Sequence, residues 1–257
     1  MQEPLGKLSH PLHRTEVGTV GGAIDARGLT PAATATGLGN LRLHRRYDRP
    51  VPNCSAFLVR HGEVWNPNHL VYADLPGFGL SPHGALQAAR AAERLRGQPV
   101  RAVVSSPLRR AWETAGIIAL AHGIRPIGDS ALTEWRLSGR WAPTVWEDLP
   151  RRFPGELDAY LTHPEALPFS PESLAAVADR TTTAIERWCV SATGPIVFVS
   201  HQDPIQAARL SLTGRGLASL HVDKPGHAAI VEVRRVADGW TEMGTWEPDQ
   251  VSAFLPK

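Results

Sequence analysis

Three short apolar runs punctuate the chain, and each stops at polar residues able to do chemistry. Ser55-Ala56-Phe57-Leu58-Val59 runs into Arg60-His61-Gly62-Glu63. Val100-Arg101-Ala102-Val103-Val104-Ser105 runs into Ser106-Pro107-Leu108-Arg109-Arg110-Ala111, and Ile196-Val197-Phe198-Val199 into Ser200-His201. Short runs rich in Val, Ile and Phe, with no polar face, predict strands buried on both sides. Between them the apolar period becomes helical. Ser81-Pro82 opens a helix to about Arg96, with Ala85, Ala88, Ala89, Ala92 and Leu95 on one face and Gly97 at its end. Ser106 as N-cap and Pro107 at the first helical position predict a second helix to about Ala121, closed by His122-Gly123. Leu174, Val177, Thr181, Ile185 and Trp188 mark a third, Pro171 to Val190, with Trp188 as a core residue. Asp203-Pro204 reads as the cap of a fourth, running through Thr213 to Gly214. Ala228 to Val236 and Trp240 to Trp246 predict two late strands paired around Asp238-Gly239. A short strand within Ile124 to Ile127 and a short helix, Glu156 to Leu161, fill the middle of the chain.

Strands alternating with helices predict a parallel sheet, whose ligands bind at the carboxyl ends of the strands. If the strands ending at Arg60 and Ser200 are parallel members of one sheet, His61 and His201 emerge on one edge. The helix beginning near Pro107 brings Arg109 or Arg110 and a positive helix end to the same place. Arginine forks beside free backbone N–H groups make an anion site, and two histidines among them suggest a phosphoryl group.

Four pieces in this order, Arg60-His61-Gly62-Glu63, Ser105-Ser106-Pro107-Leu108-Arg109-Arg110-Ala111 with Thr114-Ala115, Leu132-Thr133-Glu134, and Val199-Ser200-His201, resemble the histidine phosphatase superfamily, the phosphoglycerate mutase-like family. The resemblance spans about residues 55 to 235. It implies an α/β three-layer sandwich: a mostly parallel central sheet with helices on both faces. It implies a metal-independent phosphatase that hydrolyses small-molecule phosphate monoesters through a phosphohistidine, with no cofactor. His61 is the implied nucleophile, with a neutral ring nitrogen attacking phosphorus and the Gly62 carbonyl holding the other. Arg60, Arg110 and His201 cover the non-bridging oxygens. Arg110 is preferred to Arg109 because the family's arginine directly precedes alanine. Asn66 matches an asparagine that contacts phosphate, and Glu134 is the expected proton donor to the leaving alcohol. Burial beside Trp135, Trp141 and Trp146 raises the Glu134 pKa while the arginines lower it, and both signs stay open at this stage. The three tryptophans read equally as a pocket wall or as loop packing. Asp203, which the cap explains, is the rival acid, and Glu63 reads as a residue that orients the site. Asp74 departs from the family pattern, placing a carboxylate where the nearest-looking branch carries an arginine.

Three alternatives share the same residues: a phosphoglycerate mutase-type phosphoryl transferase, a catalytically weak phospho-ligand-binding protein, and a metal site of His61, Glu63, His201 and Asp203. Arg60 and Arg110 would repel a divalent cation, which weighs against the last.

Composition adds bounds. The 257 residues suffice for one sizeable domain, and a net charge of +2 gives no reason to expect nucleic acid. No run is long enough to span a membrane, and the N-terminus lacks a secretory signal's apolar core. Cys54 and Cys189 offer no disulfide framework and no CxxC, which fits a reducing compartment. The expectation is a cytoplasmic protein acting on a small phosphorylated molecule, without nucleic-acid or membrane partners. Residues 1–53, rich in Gly, Pro, Thr and Arg and without periodicity, read as a disordered extension to a domain over 54–250. Deleting residues 1–50 is expected to leave melting temperature and turnover nearly unchanged. His69 and His83 read as surface loop residues, and the segment from Arg151 to Phe169 as a cap.

Overall fold

The first apolar run forms strand β1, Ser55–Arg60, in a computed structural model that describes residues 54–248. The expectations for residues 1–53 lie outside these. Helix α1, Pro82–Leu95, follows, then β2, Ala102–Ser105, α2, Arg109–Ala121, and a two-residue strand β3, Ile127–Gly128. Three short helices come next: α3, Leu137–Trp141, α4, Leu149–Arg152, and α5, Glu156–Thr162. The chain then forms α6, Leu174–Val190, β4, Ile196–Ser200, α7, Gln202–Leu212, and the antiparallel pair β5, Ile230–Val236, and β6, Gly239–Trp246.

The six strands make one sheet in the order β3-β2-β4-β1-β5-β6. β1 to β4 are parallel with their neighbours among themselves, and β5 runs antiparallel to β1. This is the mostly parallel α/β sheet that the sequence predicts. Alternation along each strand explains the layers. Phe57, Val59, Val103, Val197 and Val199 point to one face, where Ala91, Ala92 and Leu95 of α1 and Ala111, Ala115 and Ile118 of α2 cover them. Ala56, Leu58, Val104, Ile196 and Phe198 point to the other, against Ala184 and Ile185 of α6 and Ile205 and Ala208 of α7. Both faces are covered, so the strands need no polar side. A third apolar cluster gathers Trp135, Trp141, Leu149 and Tyr160 against Leu174 and Val177 of α6 and Ala207 of α7. It seats the short helices α3 to α5 above the carboxyl edge of the sheet. Among the described residues no helix is long and apolar enough to cross a membrane.

Local chemistry explains the helix starts, with two corrections. Ser81 caps α1, its hydroxyl accepting from the Gly84 N–H (2.9 Å), and Ser173 does the same for α6 (3.1 Å, from Ala176). Ser106 does not cap α2. The helix begins at Arg109, and Pro107 lies in the connection before it, because the Ser106 N–H still donates to Val199 O (2.9 Å) in continuation of the sheet. Asp203 does not cap α7 either. The N-cap position is His201, and Asp203 sits in the first turn, with its carboxylate engaged elsewhere.

The cysteines need a third correction. Cys54, at the start of β1, and Cys189, in the last turn of α6, are disulfide-bonded across 135 residues of sequence. No local spacing announces such a pair, because the fold alone brings the strand end under the helix end. Structural disulfides belong to oxidising settings, so the cysteines no longer support a reducing compartment. Crosslinks of this kind contribute about 2–4 kcal/mol. Cys54→Ala/Cys189→Ala should therefore lower the melting temperature by roughly 5–15 °C in a domain of this size, read by calorimetry. Turnover should change little, since Cys54 lies at the opposite end of β1 from His61.

Candidate active site

The carboxyl ends of three parallel strands are level, since Arg60 pairs with Ser200 and Ser105 with Val199. The next residue of each strand therefore arrives at one point. The His61 N–H donates to Ser200 O (3.0 Å), and the His61 and His201 rings meet edge to face with centroids 5.2 Å apart. Both rings are buried. His61 Nδ1–H donates to the Gly62 carbonyl at 2.7 Å, which leaves the lone pair on Nε2. The loop after His61 is clamped to both helices of that face. The Gly62 N–H donates to Thr114 Oγ1 (3.1 Å), whose hydroxyl donates in turn to Arg110 O (2.8 Å). Gly62 also runs against the backbone of Gly84 in α1, where a Cβ on either residue would collide with main chain.

The cations surround His61. Arg60 Nη2 donates to His227 Nε2 (2.9 Å) and Nη1 to Pro225 O (3.2 Å), which fixes its guanidinium plane. Arg110 is almost wholly buried, its guanidinium 4.7 Å over the Tyr72 ring. Arg60 Nε, Arg110 Nε and Nη2, and His201 Nδ1 are all buried without a hydrogen-bond partner in the protein. Buried donors of this kind are costly unless an acceptor meets them. Arg109 instead lies exposed on the outer face of α2, paired with Glu113 at 2.6 Å.

Electrostatics keep both histidines neutral. Burial, then the charges of Arg110, His201 and Arg60, push the His61 pKa well below its ordinary value. Burial and the arginines do the same for His201. His201 Nε2 lies 2.8 Å from Ser106 Oγ, which already accepts from the Leu108 N–H. With the Ser106 hydroxyl donating a hydrogen bond to Nε2, the His201 hydrogen sits on Nδ1, on the side of Glu134.

Glu134 stands across from the histidines, with Oε2 3.9 Å from His201 Nδ1 and Oε1 accepting from the Trp135 N–H (2.8 Å). Its loop is pinned from behind. Ser200 Oγ donates to Leu132 O (2.6 Å), and Arg180 of α6 donates to Ala131 O, Thr133 O and Glu134 O at 2.7, 2.8 and 3.2 Å. Burial and the charge of Asp203 raise the Glu134 pKa to about 7, outweighing Arg110 and Arg60. That settles the two opposing signs: burial wins. Asp203 accepts from Tyr160 OH (3.0 Å) and from Lys224 Nζ (2.7 Å). Its charge is thus held by partners beside Glu134 and not by a helix cap.

Arg60, His61, Arg110, Glu134 and Asp203 line a cleft of about 410 Å³, with His201 packed edge-on against His61 behind it. Asn66 lines it too, but both ends of its amide bind the backbone of Leu70, so it shapes the loop that carries Tyr72. His69 also faces the cleft while remaining exposed, whereas His83 lies outside it and holds Glu63. Glu63 accepts from Ser81 and His83, so it ties the His61 loop to the start of α1 and is not part of the cleft lining. Two of the four residues of the metal-site alternative, Glu63 and Asp203, are thus turned to these partners. Asp74 is exposed on the loop that carries Tyr72, near enough to bear on the charge of Arg110. Trp135, Trp141 and Trp146 line the cleft. Sequence reasoning missed Tyr72, Tyr160, Lys224 and His227. Of these only Tyr72, in the loop following the Arg-His-Gly-Glu signature, lay within reach of a local argument.

Comparison with known proteins agrees with this geometry. The sequence profile of the histidine phosphatase superfamily (branch 1) matches residues 56–246. The chain belongs to that superfamily. It is 38% identical over 175 residues to the uncharacterised protein Rv0525 of Mycobacterium tuberculosis, covering 62% of this chain and 79% of that one. It is 31% identical over 189 residues to phosphoserine phosphatase 1 of Hydrogenobacter thermophilus, covering 69% and 87%. Among solved structures it is similar to the mycobacterial glucosyl-3-phosphoglycerate phosphatase Rv2419c, with TM-score 0.67 and 25% identity over 75% of this chain and 98% of that one. These likenesses mark the chain as a phosphatase or phosphoryl transferase.

Proposed function

We propose that this chain is a metal-independent phosphatase of small phosphate monoesters that works through a phosphohistidine on His61. One observation carries the reading. A buried imidazole with its lone pair on Nε2 shares its cleft with Arg60 and Arg110 and its ring contact with His201, and these three carry four buried nitrogens without a partner. A phosphoryl group supplies the oxygens those donors lack, and phosphoryl transfer needs little beyond positioning and charge stabilisation.

Nε2 attacks phosphorus as the bond to the ester oxygen breaks, and Glu134 gives that oxygen its proton. The Gly62 carbonyl, accepting the Nδ1–H hydrogen bond, stabilises the positive charge that forms on the ring. Glu134, now a carboxylate, removes a proton from water, whose oxygen attacks phosphorus. The N–P electron pair returns to His61, and phosphate leaves. Neutral His61 and protonated Glu134 are the starting states, and the pKa directions favour both.

Phosphate release from p-nitrophenyl phosphate and alkyl phosphates tests the reading. Turnover should be unchanged by EDTA and blocked by vanadate, which imitates five-coordinate phosphorus. Activity lost on chelation and restored by a divalent metal would overturn it. Transfer of the phosphoryl group to an added phosphoglycerate, without phosphate release, would make the protein a transferase. Phosphoserine and glucosyl-3-phosphoglycerate, the compounds in the relatives' names, belong in the same assay as reference esters.

A further inference from the structure

The cleft is larger than a phosphoryl group needs and falls within the range of small-ligand pockets, roughly 300–1,000 Å³. Its outer part is apolar. Trp141 meets Trp146 and Tyr160 edge to face, at 6.4 and 5.6 Å between centroids. Trp146 is held at the mouth by its backbone N–H, which donates to His69 O (2.9 Å), yet its side chain remains open, the residue 43% exposed. An aromatic ring kept open at a pocket mouth gains by burial under a ligand.

The polar handles of this wall are turned to the protein. Trp141 Nε1–H donates to Glu156 (2.9 Å), Trp135 Nε1–H to Glu172 O (2.8 Å), and Tyr160 OH to Asp203 (3.0 Å). The basic groups beyond the two arginines are engaged as well. His69 donates to Glu147 (3.1 Å) and Lys224 to Asp203 (2.7 Å). Glu134, Glu147 and Asp203 all border the cleft. Among the described residues lining the cleft, a carboxylate on the leaving group would meet the carboxylates of Glu147 and Asp203 and no cation beyond the two arginines at the phosphoryl position. A sugar would find few donors.

Resting on the phosphatase reading of the site, we propose that the preferred substrates are phosphate monoesters of uncharged alcohols bearing an apolar ring. Esters of hydroxy acids such as phosphoserine and phosphoglycerate are disfavoured.

The test compares propyl, phenylpropyl and carboxypropyl phosphate. Their remote substituents leave the alkoxides similar, so differences in kcat/KM report the outer cleft. Phenylpropyl phosphate should exceed propyl phosphate by about tenfold, and carboxypropyl phosphate should fall below it. Trp146→Ala should close the gap between phenylpropyl and propyl esters. Glu147→Gln, which releases His69, should improve the carboxypropyl ester selectively. A carboxypropyl ester as good as or better than the phenylpropyl ester overturns the proposal. Calorimetric binding of the same esters to His61→Ala reads the preference independently of turnover. If the wild type hydrolyses none of the esters but the variant binds the phenylpropyl ester tightest, the phosphatase reading fails and the ring preference stands. If the binding order is reversed, the preference falls whatever the turnover.

Discussion

His61→Ala is expected to keep the fold and lose turnover by about 10⁴-fold or more, the scale seen when a covalent nucleophile is removed. The fold should survive because the ring lies beyond the end of β1, and its one hydrogen bond in the protein is to the carbonyl of its neighbour Gly62. The sheet register depends on the backbone of His61, whose N–H still reaches Ser200 O in the variant. Circular dichroism and melting should therefore stay near wild type. Chemistry should not survive, because no other group offers a lone pair at that point. His201 is engaged differently: its Nε2 lies 2.8 Å from Ser106 Oγ, and its Nδ1 is 3.9 Å from Glu134 Oε2. Wild type quenched during turnover of labelled substrate should carry acid-labile, base-stable phosphate, and His61→Ala should carry none. Label retained by the variant would place the nucleophile elsewhere.

Glu134→Gln should cut alkyl phosphate turnover by about 10²–10⁴-fold, the usual value of general acid help. An alkoxide needs a proton in the transition state, while p-nitrophenolate leaves largely without one, so p-nitrophenyl phosphate should lose much less. The pH profile gives a second reading of the same residue. The acid must be protonated, and its pKa is raised to about 7, so kcat/KM for an alkyl ester should fall as pH rises through about 7. His61 must be neutral, and its pKa is depressed, so His61 remains competent until pH drops well below its ordinary range. The acid limb seen near about pH 6 should then belong to the substrate's second ionisation. A bound dianion raises the pKa of a nearby carboxyl, so the basic limb of kcat should lie above that of kcat/KM. Asp203→Asn removes a like charge beside Glu134, which lowers the Glu134 pKa and moves the basic limb to lower pH. It should keep turnover of both esters at low pH. Selective loss of alkyl turnover in Asp203→Asn, with Glu134→Gln unaffected, would make Asp203 the acid.

The residues that could be read in advance share one property: they are tied to a strand end by a few bonds of chain. His61 follows β1 directly, His201 follows β4 directly, and Arg110 lies five residues beyond β2 in the first turn of α2. Apolar runs of this kind place strands, parallel strands place their carboxyl ends level, and the functional side chains come with them. The start of α2 was misread because Ser106 and Pro107 are good local signals for a helix that the sheet overrides, by keeping the Ser106 N–H on Val199. Asp203 was misread for the same kind of reason. Its position before Pro204 suits a cap, but Tyr160 and Lys224, 43 and 21 residues away, claim its carboxylate.

The strands and most of the helices, the alternation that makes an α/β sheet, and the clustering of imidazole and guanidinium at one edge are all legible along the chain. Each follows from periodicity or from residues adjacent in the chain, where geometry is set by covalent connection. The tertiary structure alone decided the Cys54–Cys189 bond, the Arg60–His227 contact, the Tyr72 ring under Arg110, and the clamp of Arg180 on the Glu134 loop. It also decided the protonation of Glu134, because a pKa depends on burial and on charges such as Asp203 that approach through space. Contacts between distant segments leave no periodic trace in a sequence. They appear only once the strands and helices have packed and the loops between them are forced to meet.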